Sequence, residues 1–212
     1  MLKSWHFLFI FFFQYLYGAD ENESWSSIGL EKKLPYSLKL EFEQGLRLKD
    51  QLSTFKQTFS EVALSYKIFK GIRVFVPIRY AIFQDKKKQR LCFGSSFKYT
   101  ISPISFKYRT KFQKMYENSE FSEDLFRNKI SIDYKLNKKI EPFISGEFFH
   151  LYVLGQYQID EYRLSFGIEV DLPRKKAIKI FYTYKLEDIK KSSPDQINVF
   201  GVAYNYKWRK KE

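Results

Sequence analysis

The 212-residue chain suits one domain, and its net charge of +13 sits beside 20% aromatic residues and only 9 Gly and 6 Pro. Hydrophobic residues at 44% exclude a disordered chain, and the single cysteine, Cys92, excludes an intrachain disulfide framework and any multi-cysteine metal site. The charge does not by itself point to nucleic acid, because Lys and Arg are scattered through the chain instead of gathered into one patch.

Residues 1–19 differ from everything that follows. Lys3 precedes the apolar run "WHFLFIFFFQYLY" (Trp5–Tyr17), and "GAD" then opens the polar stretch "ENESWSS". Thirteen helical residues would span about 20 Å, short of the roughly 30 Å hydrocarbon core. The segment is therefore expected to be a removed signal peptide, leaving residues 20–212 as the mature domain. An exported chain of this kind does not meet nucleic acid.

Beyond Ser24 the hydrophobic period is two. "SLKLEFEQGLRL" puts Leu38, Leu40, Phe42, Leu46 and Leu48 on one face, with Lys39, Glu41, Glu43 and Arg47 on the other. "GIRVFVPIRYAI", "ISFKYRTKFQ", "KISIDYKL" and "YRLSFGIEVDL" alternate in the same way. Such runs are strands, and no helical period competes with them. Eleven strand-like segments can be read, at about 25–33, 37–48, 57–68, 71–83, 90–100, 103–114, 127–136, 140–152, 161–172, 177–187 and 196–208. Most exceed the five or six residues usual in globular sheets and match the 9–11 needed by a tilted membrane-spanning strand. Tight connections ("LPY", "FKG", "TISP") alternate with longer polar ones ("KDQLSTF", "YENSEFSEDLF", "EDIKKSSPD"), predicting short turns on one rim and long loops on the other.

These features predict an all-β fold: a single antiparallel up-and-down transmembrane β-barrel of about 10–12 strands in a bacterial outer membrane. An even count is expected when both termini share one side, which makes Trp25–Lys33 the odd segment out. The apolar face is assigned outward. An apolar cavity inside ten or more strands would be very large, and tyrosines (Tyr80, Tyr99, Tyr162, Tyr184, Tyr206) fall near strand ends, where an interfacial belt belongs. The terminal "GVAYNYKW" carries Val202, Tyr204, Tyr206 and Trp208 on one row and looks like a strand that the barrel-assembly machinery reads. Outer-membrane lipid and lipopolysaccharide are the other expected partners.

In order and spacing, "SWSSIGLEKKL", "SLKLEFEQGLRL", "EVALSYKIFKG", "FRNKISIDYKL", "EPFISGEFF", "YRLSFGIEV" and "NVFGVAYNYKW" resemble the family known as domain of unknown function 2490. The resemblance covers residues 24–208. It implies an outer-membrane-type barrel and carries over no catalytic or binding residue.

Catalytic chemistry has little to draw on. His150, the one histidine beyond the signal segment, falls by parity with Ile144 and Phe148 on the lipid side, where a rim aromatic belongs more naturally than the base of a lipid-modifying enzyme. No enzyme activity and no cofactor is expected. Cys92 falls on the polar row as filler, and the acidic run with Glu117, Glu120, Glu123 and Asp124 reads as a solvated loop, its spacing matching no cation loop. The informative constellation is the inward row of charge: Arg73, Arg79, Arg109, Lys111 and Arg163 among the bases, Glu41, Glu43, Glu147 and Glu169 among the acids. Two readings stay open. The charges form an interleaved ion-pair network filling a narrow bore, or, given a basic excess, a small anion-preferring channel.

Overall fold

The computed structural model describes residues 21–208, so the expected signal segment at 1–19 and the tail at 209–212 lie outside the described residues. Eleven strands follow one another: β1 (Glu21–Lys33), β2 (Leu38–Lys49), β3 (Thr54–Phe69), β4 (Ile72–Phe83), β5 (Lys87–Ile101), β6 (Ile104–Glu117), β7 (Glu120–Tyr134), β8 (Ile140–Val153), β9 (Gln156–Leu172), β10 (Lys176–Glu187) and β11 (Asp195–Trp208). Each pairs with its chain neighbours in antiparallel register, and β1 closes on β11 to complete a barrel.

The expected parity is corrected here. The segment around Trp25–Lys33 is a full stave, paired to β2 from Ser24↔Leu48 to Lys33↔Lys39. With an odd number of up-and-down strands the first and last must run the same way, and β1 pairs β11 in parallel from Glu21↔Ile197 to Lys32↔Trp208. Glu21 therefore lies at one rim and Trp208 at the opposite one. The first rim also carries the turns at 50–53, 84–86, 118–119, 154–155 and 188–194. The second carries those at 34–37, 70–71, 102–103, 135–139 and 173–175.

Expected long loops also resolve differently. Most of "YENSEFSEDLF" is strand, and β6 and β7 meet at the two-residue turn Asn118–Ser119, where both residues have positive φ (49° and 76°) as a tight hairpin turn demands. Register shifts at Arg47/Leu48, Met115/Tyr116 and Phe149/His150 lie near this rim. A bulge changes the phase of alternation while backbone pairing continues, so the period-two signal ends before the strand does.

The two walls are chemically inverted relative to a water-soluble barrel. Leu40, Val62, Ile78, Phe93, Ile130, Ile132, Ile168 and Val202 are exposed on the outside. Buried side chains are largely polar or charged, among them Glu23, Lys111, Gln113, Arg127, Glu147 and Lys185. Inward glycines seat the few internal rings. A Cβ at Gly201 would stand 2.0 Å from Cζ of Phe181, and one at Gly45 would stand 2.3 Å from Cζ of Phe59.

Candidate functional site

Among the described residues, at least three cavities open inside the lumen. One of about 630 Å³ lies toward the first rim, lined by Arg47, Lys56, Lys88, Met115, Glu123 and Asp188 among others. Two more open toward the second rim. One, of about 450 Å³, lies beside Glu31, Lys39, Glu41 and Lys207; the other, of about 460 Å³, lies beside Lys67, Lys98, Lys107 and Lys179. Arg109 lines all three, and Lys111 lines the 630 and 450 Å³ spaces. The waist of the barrel is where these two side chains stand.

Of the inward charges singled out from sequence, Arg79 and Arg163 line the first-rim cavity, Arg73 both second-rim cavities, Glu41 and Glu169 the 450 Å³ one, and Glu43 both that cavity and the first-rim one. Glu147 is buried, and its Oε1 accepts from Arg127 Nη2 at 2.8 Å and from Arg109 Nη2 at 3.1 Å. Arg79 Nε donates to Glu61 Oε2 at 2.6 Å and has Glu43 Oε2 3.9 Å from its Nη2. Arg163 pairs with Glu161. Arg73 Nη1 donates to Ser65 Oγ at 3.0 Å.

Opposite charges face each other at Glu61/Arg79, Lys129/Glu147, Glu147/Arg163 and Lys179/Glu169, but like charges also meet on this wall. Cross-strand register sets Arg79 beside Arg90, Lys111 beside Arg127, and Arg109 beside Lys129. On the other arc it sets Glu31 beside Glu41 and Glu43 beside Glu61. Like charges directly opposite are destabilising unless a third group intervenes. On the acidic arc it does: Lys39 Nζ lies 2.6 Å from Glu41 and 3.6 Å from Glu31.

Aromatic rings separate several of the cations. The Arg79 guanidinium lies 3.7 Å from the Phe59 ring centre, Arg47 3.9 Å from Trp25, Arg127 4.1 Å from Phe149 and Arg163 4.4 Å from Phe149. Such stacking suits arginine, whose flat, weakly hydrated cation tolerates a ring face in place of water. Trp25 Nε1 donates to Glu23 Oε2 at 2.7 Å, and fully buried Glu23 also accepts from Lys56 and has Lys185 Nζ at 3.6 Å.

Sequence reasoning missed Glu23, Trp25, Phe59, Arg127, Phe149 and Glu161 as members of this site. Arg127 and Glu161 stand where alternation fades toward the first rim; running the parity of β7 and β9 back by one pair would have found them. The rings escaped notice because aromatics were expected on the outer row. His150 is on the outer wall, its Nδ1 3.3 Å from the Phe126 carbonyl oxygen and its ring beside that of Phe126. Cys92 is buried, with Sγ 3.8 Å from Gln113 Oε1. Glu117 of the acidic run pairs with Lys88 at 3.0 Å and Lys86 at 3.3 Å.

Among solved structures the barrel is similar to the NanC porin, solved in a rhombohedral crystal form, with TM-score 0.52 and 10% identity over 77% of this chain and 85% of that one. An anion-selective porin from Comamonas acidovorans aligns with TM-score 0.41 and 6% identity, over 81% of this chain and 54% of that one, so the chain spans about half of that porin. No curated protein matches the chain. The family model described as "Protein of unknown function (DUF2490)" matches residues 22–198, and the chain belongs to that family.

Proposed function

We propose that this chain is a bacterial outer-membrane β-barrel whose narrow, charge-lined lumen admits small anionic solutes and passes them without chemical catalysis. The membrane reading is supported by the outer wall. Strands of 12 to 17 residues exceed the roughly 9–11 that a tilted span requires, and many large aliphatic and aromatic side chains are exposed along them. The second rim adds a basic collar for anionic headgroups, since its turns hold Lys70, Lys135, Lys138, Lys139, Arg174 and Lys175 and no acid. The observation that carries the solute reading is the convergence of three cavities on Arg109, in a waist where bases outnumber carboxylates. Eleven strands lie between the side-chain-filled eight and the open channel of sixteen, so a partly filled bore is what the strand number allows. A surplus of positive charge within a low-dielectric wall attracts and concentrates anions.

Planar-bilayer recording tests this. Expected is a small conductance, anion-preferring and strongly dependent on ionic strength, whose preference weakens when Arg79, Arg109 and Arg163 are changed to Gln together. Heat-modifiable gel mobility checks that the variant still folds. A wide or cation-selective channel contradicts the proposal, and complete silence leaves a purely structural barrel.

A further inference from the structure

At the waist, cations outnumber the acids that would neutralise them: Arg127 is paired with Glu147, while Arg90 and Lys111 have no carboxylate partner among the described residues. Arg90 Nη1 and Arg127 Nη1 both donate to the same neutral acceptor, Gln113 Oε1, at 3.3 and 3.1 Å. Lys111 stands directly across the strand pair from Arg127 and is only 8% exposed. It makes no hydrogen bond or ion pair with any described residue. The guanidinium groups within its electrostatic reach are those of Arg90, Arg109 and Arg127. Glu61 is one carboxylate near enough to feel Lys111, and Arg79 already holds it at 2.6 Å. Glu147 is likewise committed, to Arg109 and Arg127.

A largely buried lysine without a partner is costly, and Arg90, whose hydrogen bond goes to a neutral amide oxygen, leaves most of its donors unused. We propose that Arg90, Lys111 and Arg127, oriented by Gln113, form a binding site for one small oxyanion of the phosphate class. Three features select that class. Planar forks present paired N–H groups to paired oxygens, which a halide cannot use. Lys111 supplies a compact third charge, so donors come from three strands (β5, β6 and β7) and suit a tetrahedral ligand better than a flat carboxylate. The excess of bases over committed acids favours a doubly charged ion over a single one. The site rests on the reading that solutes enter the lumen, because it is reached from the cavities that Lys111 lines.

The test is calorimetric titration of inorganic phosphate into the refolded full-length barrel in detergent, at constant ionic strength in chloride. Wild type should bind phosphate saturably at one site, with no competition from chloride beyond ionic screening. Lys111→Met should weaken binding by about tenfold or more, the loss of one charge-assisted contact. Lys98→Met, which removes a lumen base at the second rim, should leave it within about threefold. Gln113→Glu is the second variant: it places a carboxylate between the two arginines, should fold at least as well as wild type, and should abolish phosphate binding. Phosphate heats indistinguishable from those of chloride, or wild-type affinity in either Lys111→Met or Gln113→Glu, would overturn the site. This titration needs no conduction. Anion-preferring currents without phosphate binding remove the site and leave the passage; phosphate binding with silent recordings does the reverse.

Discussion

Two arcs of one lumen carry opposite charge and resolve it differently. On β1–β3 the acids Glu23, Glu31, Glu41, Glu43 and Glu61 predominate, and Lys39, Lys56 and Arg79 reach across to hold them. On β4–β7 the bases predominate, and Glu147 of β8 is shared by two arginines while Arg90 and Lys111 find no carboxylate. The acidic arc is satisfied because a flexible lysine reaches two carboxylates at once and Arg79 reaches in from β4. The basic arc is not, since its cations outnumber the acids within reach. On the proposed reading, it is the basic arc, with cations left over, that attracts the ligand.

The sharpest way to break this comparison is to remove one glutamate from each side. Glu147→Gln leaves two guanidinium groups in an already basic wall without their shared anion. Glu147 and Arg127 have side chains only 7% exposed, so the loss is expected at about 3–5 kcal/mol, the cost of orphaning a buried charge. Glu43→Gln removes a half-exposed acid that faces Glu61 and lies 3.9 Å from its nearest base, and should change stability by less than about 1 kcal/mol. Urea unfolding of both variants in lipid vesicles measures the contrast; equal losses would show that the two arcs are electrostatically alike.

How far this arrangement could be read from sequence depends on the kind of information each residue carries. Alternation sorts side chains into two rows, and in the structure the rows are two walls: Ile130, Ile132 and Tyr134 on one, Lys129, Ser131 and Asp133 on the other. It says nothing of which stave lies beside which residue. Acids and bases do face each other at Glu61/Arg79, Lys129/Glu147 and Glu147/Arg163, but the like-charge pairs Arg79/Arg90 and Lys111/Arg127 could not be read, being set by register across neighbouring strands. Strand parity was lost through a general rule of even numbers, although Trp25 to Lys33 already alternated. Trp25 itself points inward, onto Arg47, and no rule of period or composition distinguishes a lipid-facing ring from one stacked on a buried cation.

A second test asks whether the inner wall accepts an added charge while the outer wall refuses it. Ile132→Arg and Ile168→Arg place a cation on the outer wall, where the cost is about 2–4 kcal/mol near the bilayer midplane. Ser131→Arg and Ser165→Arg point into the lumen on the same strands and should cost appreciably less. Between these two, Ser131 sits within the basic arc beside Lys129, so its variant should be the worse tolerated. Refolding yield into bilayers reads all four. Equal damage on both rows would refute the outward assignment of the apolar face.

The smallest effect on the fold is expected where β11 meets the acidic arc across the parallel seam. Val202, Tyr204, Tyr206 and Trp208 alternate with Ala203, Asn205 and Lys207, and Lys32 of β1 places its ammonium 5.0 Å from the Trp208 ring centre. That contact lies at the rim and contributes about 0.5–1 kcal/mol at an exposed site. The backbone ladder from Glu21↔Ile197 to Lys32↔Trp208 closes the barrel whatever the side chains are. Changing Tyr204, Tyr206 and Trp208 together to Ala should therefore leave the assembled barrel heat-modifiable and closed. What it should lower is the fraction of chains that reach the membrane, if the aromatic row is what the assembly machinery recognises. Pulse-labelling of the variant in cells, with export and insertion scored separately, distinguishes the two roles. Normal export with reduced insertion supports recognition; insertion at wild-type yield removes it and leaves the row as a lipid-facing wall.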